Sequence, residues 1–134
     1  MTHVQIKVLT PHEIVLDSVA DMILLPGIDG EFGVLYGHEK MVSALQIGML
    51  KIHIDGKVES IFIAGGIAEI QAESCCVMVD DALRSSAVNK MRIQEQLAQL
   101  QIALSSLEKE GFESKSLSEQ VKFLECIIAI EMRL

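Results

Sequence analysis

From Val4 to Val79 the chain is written in short apolar runs separated by turn residues. Val4-Gln5-Ile6-Lys7-Val8 alternates apolar with polar, the period-two pattern of a strand with one wet face. Thr10-Pro11-His12 interrupts it, and Ile14-Val15-Leu16 follows. Asp21 to Leu25 is the next run, stopped by Pro26-Gly27. Then come Ile47 to Ile54, Val58 to Ile63, Ile67 to Gln71 and Cys75 to Val79, with Asp80-Asp81 marking the exit from the last strand. Many short strands at close spacing predict an antiparallel sandwich or barrel, not βαβ units. One hairpin has a predictable register. A two-residue turn at Asp55-Gly56 would set Ile52 opposite Glu59 and Ile54 opposite Lys57, mixing wet and dry on one face. A three-residue connection through Lys57 pairs Ile54 with Val58, Ile52 with Ser60 and Leu50 with Phe62, and sets His53 across from Glu59. Because a one-residue slip flips every side chain, the second register is expected.

After Ser86 the period changes. Ile93, Leu97, Leu100, Leu104 and Leu107 form one helical stripe, and Gly111 is the residue type expected just past a helix end. Ser116-Leu117-Ser118-Glu119 reads as a capping box opening a second helix, whose stripe runs through Leu117, Val121, Leu124 and Ile128. Two helices joined by about six residues predict an antiparallel hairpin. The expected fold class is therefore α+β: an antiparallel β-sandwich over 1–86, then a two-helix hairpin over 87–134. Cys126-Ile127-Ile128-Ala129-Ile130 is apolar on nearly every side. Leaving Ile127 and Ile130 exposed would forgo roughly 1.5–3 kcal/mol each. Either the sheet body or another protein must cover them.

Charge sharpens the boundary. Residues 1–86 hold 5 basic and 12 acidic side chains, net −7, while residues 87–134 hold 6 and 7, net −1. An acidic body suits cationic partner surfaces or simple solubility. The overall charge of −8, the absence of Trp and the single Tyr argue against nucleic acid as a partner. Cys75, Cys76 and Cys126 have no C-x-x-C spacing, and an odd count fits a reducing cytosol. Cys126 is expected as a small buried apolar residue. No run approaches the ~18 apolar residues of a membrane span, and Met1-Thr2-His3-Val4 shows no leader.

No constellation for chemistry emerges. Gly27, Gly30, Gly33 and the Gly65-Gly66 pair match no phosphate-binding loop and read as turns or bulges needing positive φ. His3, His12, His38 and His53 are not at metal-ligand spacing, Asp80 and Asp81 diverge, and neither G-x-S-x-G nor a Cys–His dyad is present. Catalytic residues, metals and cofactors are all expected to be none.

The dense stretch is Leu25-Pro26-Gly27-Ile28-Asp29-Gly30-Glu31-Phe32-Gly33-Val34-Leu35-Tyr36-Gly37-His38. It resembles the LPG-x-x-GEFG-x-L-x-GH signature of epsilon subunits of bacterial F-type ATP synthases. Leu9-Thr10-Pro11 precedes it, and Leu45-Gln46-Ile47-Gly48, Ile61 to Glu69 and Val77 to Ala82 follow in the family's order. The resemblance covers residues 4–82 and thins over 87–134, where Arg92 and the helical pattern carry it. It implies a ten-stranded sandwich followed by two helices. It also implies a non-catalytic rotor role in the central stalk, coupling proton flow to ATP synthesis on the cytoplasmic face of the bacterial inner membrane. The implied partners are the gamma subunit and the c ring, with Glu31 and the segment around His38 facing them. A carboxylate on a Gly-braced loop suits basic side chains in polar c-subunit loops.

The resemblance further implies that the hairpin can lie on the body or extend along gamma toward the alpha and beta subunits and impede ATP hydrolysis. Ile127 and Ile130 are then candidate partner contacts. Some members bind ATP through [I/L]-D-x-x-R-A plus arginines on the second helix. Here Val88-Asn89-Lys90-Met91-Arg92-Ile93 keeps only Arg92, the carboxylate is Asn89, and Arg133 is the second helix's one arginine. This is a remnant of an ATP site at most. Two rivals remain on sequence alone: a β-sandwich adaptor for an unrelated partner, separated by gamma binding, and a nucleotide-binding regulator, separated by nucleotide titration.

Overall fold

Alternation along each strand decides which side chains enter the core, and the computed structural model places them accordingly over residues 3–87, 90–106 and 112–131. Strand β1 is Val4–Leu9, with Val4, Ile6 and Val8 buried and the residues between them facing out. Then follow β2 (Ile14–Ala20), β3 (Met22–Gly27), β4 (Gly30–Val34), β5 (Met41–Ile54), β6 (Lys57–Ile70), β7 (Ser74–Val79) and β8 (Ala82–Arg84). A 3-10 turn at Ser85–Ala87 leads to α1 (Lys90–Ser106) and α2 (Phe112–Glu131). Two compact units result, Met1–Ser85 and Ser86–Leu134.

The strands run in the order β2-β1-β7-β6-β5-β3-β4, with β8 on β6. The two 14-residue strands make this one path into a sandwich. The first half of β6 pairs with β8 at residues 61–63, and its second half pairs with β7 at residues 66–70. Counting the halves of β5 and β6 separately turns eight strands into the ten that the resemblance implied. The corner in β6 is Gly65-Gly66, with φ of +91° and +150°. A Cβ on Gly66 would strike the Met78 carbonyl oxygen and lie 2.9 Å from Val79 Cα, so only glycine fits where the strand turns. Val4, Ile6, Ala68, Ile70 and Val77 of one layer meet Ile23, Leu25, Leu50, Ile61 and Ile63 of the other in a single core. The β1–β7 pair is parallel, a departure from the all-antiparallel expectation. Five strands intervene before the chain returns beside β1, so no hairpin dictates direction there.

The 54–57 hairpin takes the two-residue register, not the three-residue one that sorting faces by polarity predicts. Ile54 pairs with Lys57, Ile52 with Glu59, and His53 with Val58. Asp55 and Gly56 adopt φ of 49° and 76°, a two-residue turn whose twist suits the strands. The cost assigned to placing Glu59 beside Ile52 does not arise, because Arg84 Nη1 lies 3.3 Å from Glu59 Oε1. Other boundaries differ too. Pro26-Gly27 sits inside β3, where its neighbour β4 supplies pairing, and the runs 58–63 and 67–71 are one strand bent at glycine. Asp80-Asp81 leads into a further strand, β8, too short to show periodicity.

In the helical unit α1 and α2 pack on each other. Ile93, Val121, Phe123, Leu124 and Ile127 are buried, while Leu97, Leu100, Ile128 and Ile130 are half-buried. Helix α2 starts at Phe112, so Ser116 lies within it and the capping-box reading fails. Each residue added to an existing helix gains a backbone hydrogen bond, and that outweighs a local capping preference. Leu107 and Gly111, like the side chains of Leu104 and Leu117, lie outside the described residues.

Candidate docking surface

Glu31 stands at the head of β4, opposite Pro26, just past the two-residue turn Ile28-Asp29. The turn is tight because the strands close in on glycine: a Cβ on Gly27 would come within 2.8 Å of the Gly30 carbonyl oxygen. Glu31 is exposed, and among the described residues nothing pairs with its carboxylate. Because the backbone of this turn is already paired and closely packed, meeting a cation costs mainly the rotamer freedom of the Glu31 side chain itself.

His38 is half-buried in the connection between β4 and β5. Its backbone N–H donates to the Leu35 carbonyl at 3.1 Å, and its Nδ1 lies 2.8 Å from the Glu39 carbonyl oxygen, which orients the ring. Glu31 and His38 sit at the two ends of β4 and its following turn. They therefore stand at opposite ends of that strand, and among the described residues no bond joins them.

Register adds residues that the sequence argument did not single out. On the outer face of the layer containing β1 and β7, Ile14 opposes Leu9, Leu9 opposes Met78, Met78 opposes Ile67, and Ile67 opposes Ala44. Ile28 then donates its N–H to the Ala44 carbonyl at 3.1 Å. Exposure reaches 60% at Ile14, 41% at Met78, 49% at Ile67 and 60% at Ile28, so an apolar row crosses the whole layer in water. A parallel row, Asp17, Lys7, Cys76, Glu69 and Val42, borders it with mixed charge. A contiguous apolar row with a polar border is the form of a protein interface. Only strand register assembles it, since its members are spread from residue 9 to residue 78.

Ile127 is fully covered within the chain in this conformation, and Ile130 is half-buried. As a partner contact Ile127 therefore becomes available only in a rearranged hairpin. Arg92 is exposed on α1, whereas Asn89 and Arg133 lie outside the described residues. Folding also brings His3, Asp21 and Asp55 within 4.8 Å of one another, a grouping that sequence spacing does not show. These groups serve each other: His3 Nε2 lies 2.9 Å from Asp21 Oδ1, and Asp55 N–H donates to Asp21 Oδ2 at 2.9 Å.

The three cysteines are free. Cys75 faces the core, and burial, aided by the adjacent Cys76, pushes its thiol up to about 12. Cys76 faces out, as alternation requires. Cys126 is half-buried rather than buried, and partial burial raises its thiol as well.

Comparison with known proteins agrees with this architecture. The family model for the ATP synthase, Delta/Epsilon chain, beta-sandwich domain matches residues 3–85. An ATP synthase epsilon chain of Prochlorococcus marinus (strain MIT 9301) is 30% identical over 131 residues, covering 98% of this chain and 95% of that one. The epsilon chain of Granulibacter bethesdensis is 31% identical over 110 residues, covering 81% and 82%. Among solved structures, a chain of the Euglena gracilis mitochondrial ATP synthase superposes with a TM-score of 0.76 at 20% identity, covering 96% of this chain and 81% of that one. A chain of the Tetrahymena thermophila central stalk and c-ring structure gives 0.56 at 12% identity, covering 93% and 96%. At these identities the two structures speak for the fold alone. With the family model spanning most of the chain and the epsilon relatives nearly all of it, this chain belongs to the ATP synthase delta/epsilon chain family.

Proposed function

We propose that this chain is a non-catalytic rotor subunit of the central stalk of an F-type ATP synthase. It binds the gamma subunit and the c ring and so couples proton translocation to ATP synthesis. The mechanism is mechanical: binding free energy fixes the stalk so that torque passes from ring to gamma without slip. Residues 1–86 form the docking body, and residues 87–134 form a hairpin that restrains ATP hydrolysis when it extends. Partner contacts are Glu31, His38 and the apolar row through Met78 and Ile67, with Ile127 and Ile130 joining on extension. The complex holds the chain at the cytoplasmic face of a bacterial inner membrane. Among the described residues no helix is long and apolar enough to cross a membrane.

The observation that carries this reading is the pairing of an unpartnered carboxylate on a rigid turn with an exposed apolar row on the same sandwich. Relatives named ATP synthase epsilon chain over nearly the full length support it. Pull-down with cognate gamma and c ring tests it. Capture at micromolar concentration is expected, and Glu31→Lys should weaken membrane-sector attachment while changing stability by less than about 0.5 kcal/mol. Recovery of neither partner by the parent chain would sink the proposal. Unaltered proton pumping in membranes carrying Glu31→Lys would return Glu31 to an ordinary surface residue.

A further inference from the structure

The turn that presents His38 is held from outside its own strand pair. Gly37 donates its backbone N–H to the Ala72 carbonyl at 2.7 Å, reaching across to the turn between β6 and β7. One residue earlier, the Tyr36 hydroxyl donates to a Glu73 carboxylate oxygen at 3.4 Å. The anchor itself is fixed. The Glu73 carbonyl accepts the Gln5 N–H at 2.9 Å, and Gln71 N–H closes the turn onto the Ser74 carbonyl at 2.8 Å. One main-chain bond alone leaves a connection free to pivot about it. A second bond from the adjacent residue removes that rotation.

We propose that Tyr36 and Glu73 are positioning residues for docking: together they set the pose in which the turn presents His38 to the partner. This rests on the reading above that the His38 segment meets gamma and the c ring. The pair is legible in no spacing rule, because 37 positions separate the two residues and only the β6–β7 turn brings them together. A preset turn binds more tightly than one that must be ordered on contact.

The test uses the full-length chain and the cognate gamma–c-ring subcomplex. Tyr36→Phe removes only the hydroxyl, and Glu73→Ala removes the acceptor together with its charge. Each is expected to weaken binding about three- to tenfold, as loss of one hydrogen bond allows. The double variant should be no weaker than either single, because the two act as one unit. Thermal midpoints should fall by no more than the few degrees that loss of one hydrogen bond allows. Tyr36 is the chain's one tyrosine and there is no Trp, so its fluorescence reads the pair directly. A carboxylate acceptor quenches phenol emission, so Glu73→Ala should brighten it. Hydrogen exchange at residues 35–40 in the free chain should quicken about three- to tenfold in both singles.

Unchanged exchange and emission would overturn the pair itself. Additive losses in the double variant would mean that each side chain touches the partner independently, which also overturns positioning. His38→Ala separates the two readings. If it weakens binding while Tyr36→Phe does not, positioning fails and docking stands. If His38→Ala binds like the parent, the docking role of this turn fails and positioning for docking falls with it.

Discussion

Cys75 and Cys76 are adjacent in sequence and opposite in circumstance. The strand period sends one into the core among Ile6 and Val77 and the other to the outer face between Lys7 and Glu69. Burial disfavours the thiolate, so the Cys75 thiol rises from its ordinary 9.0 to about 12. The sign of the consequence follows. The unfolded chain loses this proton near pH 9 while the folded chain keeps it, so the stabilisation is full below pH 9 and is lost as pH climbs toward about 12. Denaturant melts between pH 9 and 11 should show this as a slope of up to about 1.4 kcal/mol per pH unit. Cys75→Val should lack that part of the slope. A parent and variant with the same pH dependence would show that the thiol is not shielded. At the same scale, the Glu31 carboxylate is notable for what it lacks, since the neighbouring glycines shape its turn and among the described residues no side chain neutralises it.

Strand β8 has three residues, too few to bury a face of its own. Its hold comes from pairing with β6 and from Arg84. That guanidinium donates to the Val15 carbonyl at 2.6 Å from Nη2 and approaches Glu59 at 3.3 Å through Nη1, joining β2, β6 and β8. Arg84→Ala should therefore destabilise the chain by about 1–3 kcal/mol, mostly through the orphaned Val15 carbonyl. Glu59→Gln should cost less than about 1 kcal/mol, because that ion pair is solvent-exposed. Equilibrium unfolding of both variants checks the ranking, and equal losses would place the weight on the ion pair instead. The same residue explains the register of the 54–57 hairpin. Sorting strand faces by polarity failed there because Arg84, 25 positions beyond Glu59, makes a charge on that face acceptable. The local turn chemistry of Asp55-Gly56, by contrast, matches the observed two-residue turn.

At the scale of the whole molecule, the sandwich core runs through residues from Val4 to Val79, with Ala82 packed against it. We therefore expect residues 1–86 to fold alone and melt cooperatively, because their strands pair among themselves around one core. A fragment without a cooperative transition would make the hairpin part of the folding unit. Nucleotide is a second whole-chain question. A phosphate site in a two-helix hairpin needs several convergent cations and a group to orient the base or sugar. Arg92 and Arg133 are the hairpin's arginines, Asn89 replaces the family's carboxylate, and Lys90 and Lys122 lack the planar fork. ATP affinity weaker than about 1 mM is expected, which is less than ~4 kcal/mol of binding free energy. Saturable calorimetric binding in the low micromolar range would restore nucleotide sensing.

The sequence by itself determined the class of the longer apolar segments, though not of β4 or β8. Alternation marked β1, an apolar run marked β7, the change of period after Ser86 marked the helices, and the glycine-rich stretch through Glu31 and His38 pointed to the family. These are local properties, fixed by side-chain direction along a strand or helix and by which backbone angles a residue tolerates. Tertiary structure alone decided what depends on residues distant in the chain. It bent β5 and β6 through both layers, made β1 and β7 parallel, and turned Arg84 toward Val15 and Glu59. It also lined up Ile14, Leu9, Met78, Ile67 and Ile28 into one exposed row and closed Tyr36 onto Glu73. Such pairings are set by strand order and register, which minimise exposed apolar surface over the whole sandwich at once, and no window of neighbouring residues contains that sum.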